Sequence, residues 1–106
     1  MAETAQEGGK GVRIYIAGPV HGVPYSEAME RFKAAEQYLY GRGDNPVNPM
    51  KMFDVSWSQE KFMRTATPNI FDCDGVYMLH GWKADTRSKL EHFIALKLGI
   101  KIELEK

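Results

Sequence analysis

The stretch that decides the fold is Gly75-Val76-Tyr77-Met78-Leu79, which is followed by Asp85-Thr86-Arg87-Ser88-Lys89-Leu90-Glu91-His92. The first run is almost wholly apolar, as a strand covered on both faces should be. A helical pattern follows from Thr86 to Leu98, and Gly99 is placed to end that helix. This order predicts that Glu91 lies near the carboxyl end of a parallel sheet, where open α/β folds bind their ligands.

Strands and helices alternate along the rest of the chain. Strands are predicted at 12–17, 46–49, 75–79 and 100–104, and helices at 27–40, 58–66 and 86–98. Ser26 is placed to cap the first of these helices. The second strand contains prolines, so we expect it at an edge of the sheet. In the last helix, the apolar stripe consists of Leu90, Phe93, Ile94 and Leu98. The alternation predicts an α/β fold with a parallel sheet between helix layers.

The size and composition of the chain limit the classes of function. Its 106 residues predict one domain at 12–106, preceded by a flexible tail at 1–11. The formal net charge is zero, so nothing favours a nucleic acid or an anionic membrane as partner. No apolar run reaches the roughly 20 residues that span a bilayer. Cys73 is the only cysteine, which fits a cytoplasmic location. A domain this small buries a modest fraction of its surface, which favours self-association.

Each candidate catalytic residue has a purely structural alternative. Glu91 could be a nucleophile, but Ser88-x-x-Glu91 also matches a capping box, in which the glutamate satisfies a backbone amide. Asp85 is placed to cap the same helix. Tyr15 could be a core residue whose hydroxyl bonds to the backbone. The residues alone leave these alternatives open.

The loop after the first strand is Gly18-Pro19-Val20-His21-Gly22. Glycine beside proline usually marks a turn, yet a loop at this place also collects backbone amides around an anion or sugar hydroxyls. The histidines and Cys73 lack metal-ligand spacing, and no Walker or dinucleotide-binding glycine motif is present. We therefore expect neither a metal nor another cofactor.

Four motifs, taken in order, resemble one known family. Ile14 to Gly22 resembles its opening "YISGPMTG", and Asn48-Pro49 resembles its "NP". Trp57 to Arg64 resembles its "W..YMR". Cys73 to Trp82 resembles its "CDGIYLLPGW", which is followed by Leu90-Glu91. The chain is thus similar to the DUF4406-type group, small phage and bacterial proteins related to nucleoside 2-deoxyribosyltransferases and nucleotide N-glycosidases.

The resemblance implies a flavodoxin-like (Rossmann-like) three-layer sandwich with about four or five parallel strands, and self-association. It implies that Glu91 is the catalytic glutamate, that Tyr15 orients it, and that Asp85 matches an aspartate of nucleoside-using relatives. The substrate-binding residues that it implies are Gly18, Pro19, Gly22, Arg87 and Ser88.

The chain departs from the family pattern at two places. Ala66 stands where the family commonly has an aspartate, and Arg87 and Ser88 stand where relatives favour small residues. Arg87 would either block the phosphate end of the site or bind a phosphate itself.

Three functional hypotheses follow from these observations. The first is an N-glycosidic bond enzyme, a deoxyribosyltransferase or N-hydrolase, that acts on a nucleoside or nucleotide through Glu91. The second is a nucleotide-binding or interaction module on the same fold. The third is a structural accessory protein of a phage or mobile element with no small ligand.

Overall fold

The computed structural model of the protein describes residues 11–106. The sheet has four strands, which are β1 (Arg13–Ala17), β2 (Asn45–Val47), β3 (Gly75–Met78) and β4 (Lys101–Leu104). The helices are α1 (Tyr25–Gly41), α2 (Gln59–Ala66) and α3 (Thr86–Leu98). Short 3-10 turns lie at Pro49–Met52, Thr67–Asp72 and Trp82–Ala84. The predicted tail at 1–11 lies outside the described residues except for Gly11.

The strands are all parallel, in the order β2-β1-β3-β4. Each connection between strands that are consecutive in the sequence contains a helix, because parallel strands need a long crossover connection. The predicted α/β flavodoxin-like fold is confirmed, and its parallel sheet has four strands where four or five were expected. The proline-containing β2 lies at an edge, as expected, because proline cannot donate to a sheet ladder.

Side chains of β1 alternate between two apolar clusters, one on each face of the sheet. Ile14 and Ile16 pack with Phe32 of α1 and Phe62 of α2. On the opposite face, a second cluster contains Tyr15, Ala17, Ile70, Val76, Met78 and Ala95. Because residues two apart on a strand share a face, Tyr15 points to the side of the sheet that α3 covers.

The apolar stripe predicted for α3 is wrong. Leu90, Phe93 and Leu98 are exposed, and Ile94 is only partly buried. The side chains of α3 that are buried are Arg87, Ser88, Glu91 and Ala95. The helix therefore turns a mostly polar side toward the interior and carries apolar residues on its outer surface.

Two details of the helix ends also differ from the sequence-based expectation. Helix α1 begins at Tyr25 after Pro24, and its first turn has no side-chain cap, although Ser26 was the expected cap. In α3 the cap is Asp85, so the Ser88–Glu91 capping box is wrong. Gly99 ends α3 in a left-handed conformation with φ 72°, as predicted.

Candidate functional site

The centre of the candidate site is the carboxylate of Glu91, which has no exposed surface. Tyr15 is also fully buried, and its hydroxyl donates a 2.6 Å hydrogen bond to Oε2 of Glu91. The two residues meet because β1 and the second turn of α3 pack on the same face of the sheet. A bond this short is typical of a hydroxyl that donates to an ionised carboxylate.

Arg87 lies one turn before Glu91 on α3 and is only 1% exposed. Its Nη1 donates to both carboxylate oxygens, at 2.8 Å to Oε1 and 2.9 Å to Oε2. Its Nη2 donates to the carbonyl oxygen of Gly18, and the guanidinium centre lies 4.4 Å from the ring centroid of Phe62. Arg87 thus fills the space between the first loop and the candidate nucleophile.

Thr67 is a further contact of Glu91 that the sequence did not reveal. Its hydroxyl donates a 2.9 Å hydrogen bond to Oε2. Thr67 follows Ala66, where an acidic residue was expected, so a neutral hydroxyl reaches the carboxylate from this segment. A threonine before proline carries no pattern that would distinguish it from an ordinary turn residue, so no signal in the sequence could have found it.

The three partners divide the two oxygens of Glu91 unequally. Within the described part of the chain, Oε2 accepts from Tyr15, Thr67 and Arg87, whereas Oε1 accepts only from Arg87. A carboxylate offers about four lone-pair positions, so Oε1 retains the more available electron pair. If Glu91 acts as a nucleophile, Oε1 is the atom better placed to attack.

Burial governs the proton affinities of this cluster. It raises the pKa of Glu91, while the Arg87 cation and the hydrogen bonds of Tyr15 and Thr67 offset part of that rise. Burial also raises the pKa of Tyr15, and the neighbouring carboxylate adds to the rise. Tyr15 therefore stays protonated at neutral pH and acts as a hydrogen-bond donor.

Asp85 and Ser88 form a separate pair at the start of α3. Oδ2 of Asp85 accepts from the backbone N–H of Ser88 at 2.9 Å and from its hydroxyl at 2.6 Å. Both contacts use the same oxygen, so Oδ1 is left for another partner. No hydrogen bond joins Asp85 to Glu91 within residues 11–106, so the two carboxylates are held independently.

The first loop contributes to the site only at its beginning. Gly18 touches the cluster through its carbonyl oxygen, and Pro19 packs against Gly81 in the loop after β3. Gly22 adopts φ 85° and has open space around it. It borders a small cleft of about 200 Å³ with Tyr25 and Phe53. The structure therefore brings Gly18 into contact with Arg87, beside Glu91, but places Gly22 in a different surface cleft.

Three further observations bear on ligands and membranes. A groove of about 630 Å³ lies at the amino ends of the strands, bordered by Asp44, Asp74 and Lys101, on the edge opposite Glu91. Among residues 11–106, no three acidic, histidine or cysteine side chains are grouped closely enough to hold a metal ion. In the same range, no helix is both long and apolar enough to cross a membrane.

Comparison with known proteins agrees with the motifs quoted above. No curated protein matches the chain. The family described as "Domain of unknown function (DUF4406)" matches residues 12–104, which includes every strand, every helix and the whole Glu91 cluster. The match confirms the resemblance to that family, and the chain belongs to the DUF4406 family.

Proposed function

We propose that this chain is a cytoplasmic enzyme of nucleotide metabolism that acts on the N-glycosidic bond of a nucleoside or nucleotide. The proposal includes kinship with the nucleoside 2-deoxyribosyltransferases and nucleotide N-glycosidases. The observation that carries it is the buried Tyr15–Glu91 hydrogen bond of 2.6 Å beside the first loop. A carboxylate held by a phenol at the carboxyl end of a parallel sheet fits glycosyl transfer through a covalent intermediate.

In the first step, the Arg87 guanidinium moves away from Oε1 of Glu91, and this oxygen attacks the anomeric carbon of the sugar. The bond from that carbon to the base nitrogen breaks, and the base leaves with the electron pair. Its proton comes from Asp85 or from a bound water. The product is a glycosyl ester of Glu91, as in retaining glycoside chemistry.

In the second step, water or a second base attacks the same carbon from the opposite side. The ester bond breaks, the carboxylate of Glu91 is regenerated, and the proton of the attacking water or base passes back to the group that protonated the leaving base, which is Asp85 or a bound water. Tyr15 and Thr67 hold Oε2 in both steps, so the carboxylate keeps its orientation. No step requires a metal ion or another cofactor.

The test is release of free base by the Glu91→Gln variant. Removal of an attacking group costs at least about 1000-fold in rate, so chromatography should detect no base above background from common nucleosides and their monophosphates. The matched control is Glu30→Gln, because Glu30 is an exposed carboxylate on α1. Base release by Glu91→Gln at the rate of the unchanged protein would refute the proposal.

A second candidate function is favoured by one specific observation. Arg87 contacts both oxygens of Glu91, and neither residue has appreciable exposed surface. A substrate can reach Oε1 only after the guanidinium moves. If the guanidinium stays in place, this protein is a nucleotide-binding or interaction module on the same fold. Calorimetric binding of a nucleotide with no base release would favour this module.

A further inference from the structure

The outer surface of α3 combines apolar side chains with positive charge. Phe93 lies at its centre and is 54% exposed. Lys89 and Lys97 lie one turn before and one turn after Phe93, on the same side of the helix. Leu90 and Leu96 lie three residues before and after Phe93, and both are exposed. The ammonium of Lys97 is 5.5 Å from the ring centroid of Phe93. The exposed side of α3 is therefore both apolar and cationic.

A groove adjoins this surface on the side of α2. It has a volume of about 360 Å³, and its apolar border consists of Met63, Pro68, Phe71 and Leu90. Phe71 is 62% exposed, and Arg64 also borders the groove. We define the α3 face as the groove and the exposed side of α3 together, with the residues Arg64, Phe71, Lys89, Leu90, Phe93, Leu96 and Lys97.

The charges of the α3 face are positive, although the formal net charge of the whole chain is zero. Its cations are Arg64, Lys89 and Lys97, and none of them forms an ion pair within residues 11–106. The one acidic side chain of α3 is Glu91, which faces the interior. On α1, by contrast, side chains of both signs are exposed. The α3 face therefore attracts carboxylates.

We infer that the α3 face binds an acidic amphipathic helix of another protein. The apolar side of such a helix packs into the groove and over Phe93, as in helix-in-groove recognition. Its carboxylates reach Arg64 on the α2 side of the groove, and Lys89 and Lys97 on the α3 side. The inference rests on exposure and charge, independently of the proposed function.

The exposed area suits a partner of this size. Aromatic side chains present about 150–250 Å² each, so Phe71 and Phe93 together expose on the order of 200 Å². Even with Leu90 and Leu96, the apolar area stays well below that of an interface between folded domains, which uses about 800 Å² per partner. A single helix covers a smaller area, and the charge pairs give it specificity.

Two other occupants suit the α3 face less well. An anionic lipid surface would approach Glu60, which borders the groove, and Asp72, which is exposed next to Phe71, so like charges would meet. A flat lipid surface would also leave the groove unfilled, whereas a helix fills it and can place neutral side chains opposite the two carboxylates. The first ten residues of the chain, MAETAQEGGK, lack apolar anchors, since Met1 is their one large apolar side chain.

The first test selects binders to the full chain from a display library of helical peptides. Each peptide has about 16 residues, which is long enough for a helix to form. Leucines occupy one side of the helix, and the other positions encode glutamate and lysine in equal shares. The recovered peptides should contain about threefold more glutamate than lysine, because each exposed charge pair adds a small gain. Equal shares of the two, or a selection that recovers no binder, would overturn the inference.

The second test locates the site with variants of the chain. Phe93→Asp should weaken the binding of the recovered peptides by about 30-fold or more, because it removes the central anchor and adds a charge that repels carboxylates. The matched control is Val55→Asp, since Val55 is 66% exposed on a different surface. It should bind the peptides as the unchanged protein does. Peptides that bind both variants equally well would contradict the assignment to the α3 face.

The third test reverses the charge of the α3 face. When the selection is repeated on the double variant Lys89→Glu with Lys97→Glu, it should favour lysine over glutamate. Lys33→Glu on α1 is the control, since Lys33 is an exposed cation outside the α3 face, and it should keep the preference for glutamate. A preference for glutamate that persists in the double variant would overturn the inference.

The last measurement separates a helix from a lipid surface. The unchanged protein should not sediment with vesicles made of equal parts of phosphatidylcholine and phosphatidylserine. Sedimentation with these vesicles that Phe93→Asp abolishes would assign the α3 face to a lipid surface and overturn the inference. None of these measurements involves base release, so their outcomes do not depend on the proposed function.

Discussion

The hydroxyl of Tyr15 and Oε2 of Glu91 are 2.6 Å apart, although 76 positions separate the two residues along the chain. Both side chains are fully buried, so this hydrogen bond lies in a medium of low effective dielectric constant, where it is stronger than in water. The bond links the central strand β1 to α3. The orientation of the carboxylate therefore depends on the correct packing of α3 against the sheet.

Tyr15→Phe should shift the pH dependence of base release to higher pH. The pKa of Glu91 is raised by burial, and the Tyr15 hydrogen bond lowers it again in part. Removing the hydroxyl removes the lowering effect. Since only the ionised carboxylate attacks, the rate rises as pH rises through this pKa, and the rising limb should move upward. At a fixed pH below the pKa of Glu91, Tyr15→Phe should release base more slowly than the unchanged protein by about 10-fold or more.

The measurement is a pH–rate profile for the unchanged protein and for Tyr15→Phe. Tyr38→Phe is the matched control, because Tyr38 is 49% exposed and lies away from Glu91. A rising limb that stays at the same pH in Tyr15→Phe would contradict the role assigned to the hydrogen bond.

Arg87→Met should destabilise the protein by about 3–5 kcal/mol, because it leaves the Glu91 carboxylate buried without its cation. Adding Glu91→Gln to Arg87→Met should recover most of this loss, since the unpaired charge is then gone. Urea unfolding of the two single variants and the double variant gives the coupling energy. Losses that simply add would contradict a direct interaction between the two side chains.

Much of the fold could be predicted from the sequence because its signals are local. The apolar run at Gly75–Met78 and the alternation in β1 report strands directly. The cap at Gly99 reports the end of α3 because glycine adopts positive φ without strain. The start of α1 was less predictable, because Pro24 with its fixed φ can occupy the cap position in place of Ser26.

The candidate site could be predicted only in part. The positions of Tyr15 and Glu91 follow from the order of the elements, but the contacts of Arg87 and Thr67 depend on tertiary packing. A buried arginine is rare, and no sequence pattern distinguishes it from an exposed one. The prediction of a buried apolar stripe on α3 was wrong for a related reason. Helical periodicity locates an apolar side of a helix without showing which surface covers it.

Gly18→Ala should destabilise the fold by about 1–3 kcal/mol through overpacking. A Cβ at this position would lie 2.8 Å from both Cβ and Cδ1 of Leu79, a fully buried residue. The Cβ of Leu79 is fixed to its backbone, so a change of the Leu79 rotamer alone cannot relieve this overlap. Gly41→Ala is the control, since a Cβ there meets nothing within 4 Å at the end of α1. Thermal unfolding should show a loss for Gly18→Ala and none for Gly41→Ala.

Asp85 can be tested as a helix cap and as a proton donor by two substitutions. Asparagine caps helices about as well as aspartate but cannot deliver the proton, whereas alanine does neither and costs about 1 kcal/mol of stability. Asp85→Asn should therefore keep the unfolding temperature, because its side-chain oxygen can still accept from Ser88. If Asp85 protonates the leaving base, Asp85→Asn should lose about 100-fold or more in base release, and Asp85→Ala should lose both activity and stability. Unchanged base release in a stable Asp85→Asn variant would limit Asp85 to the cap and leave a bound water as the acid.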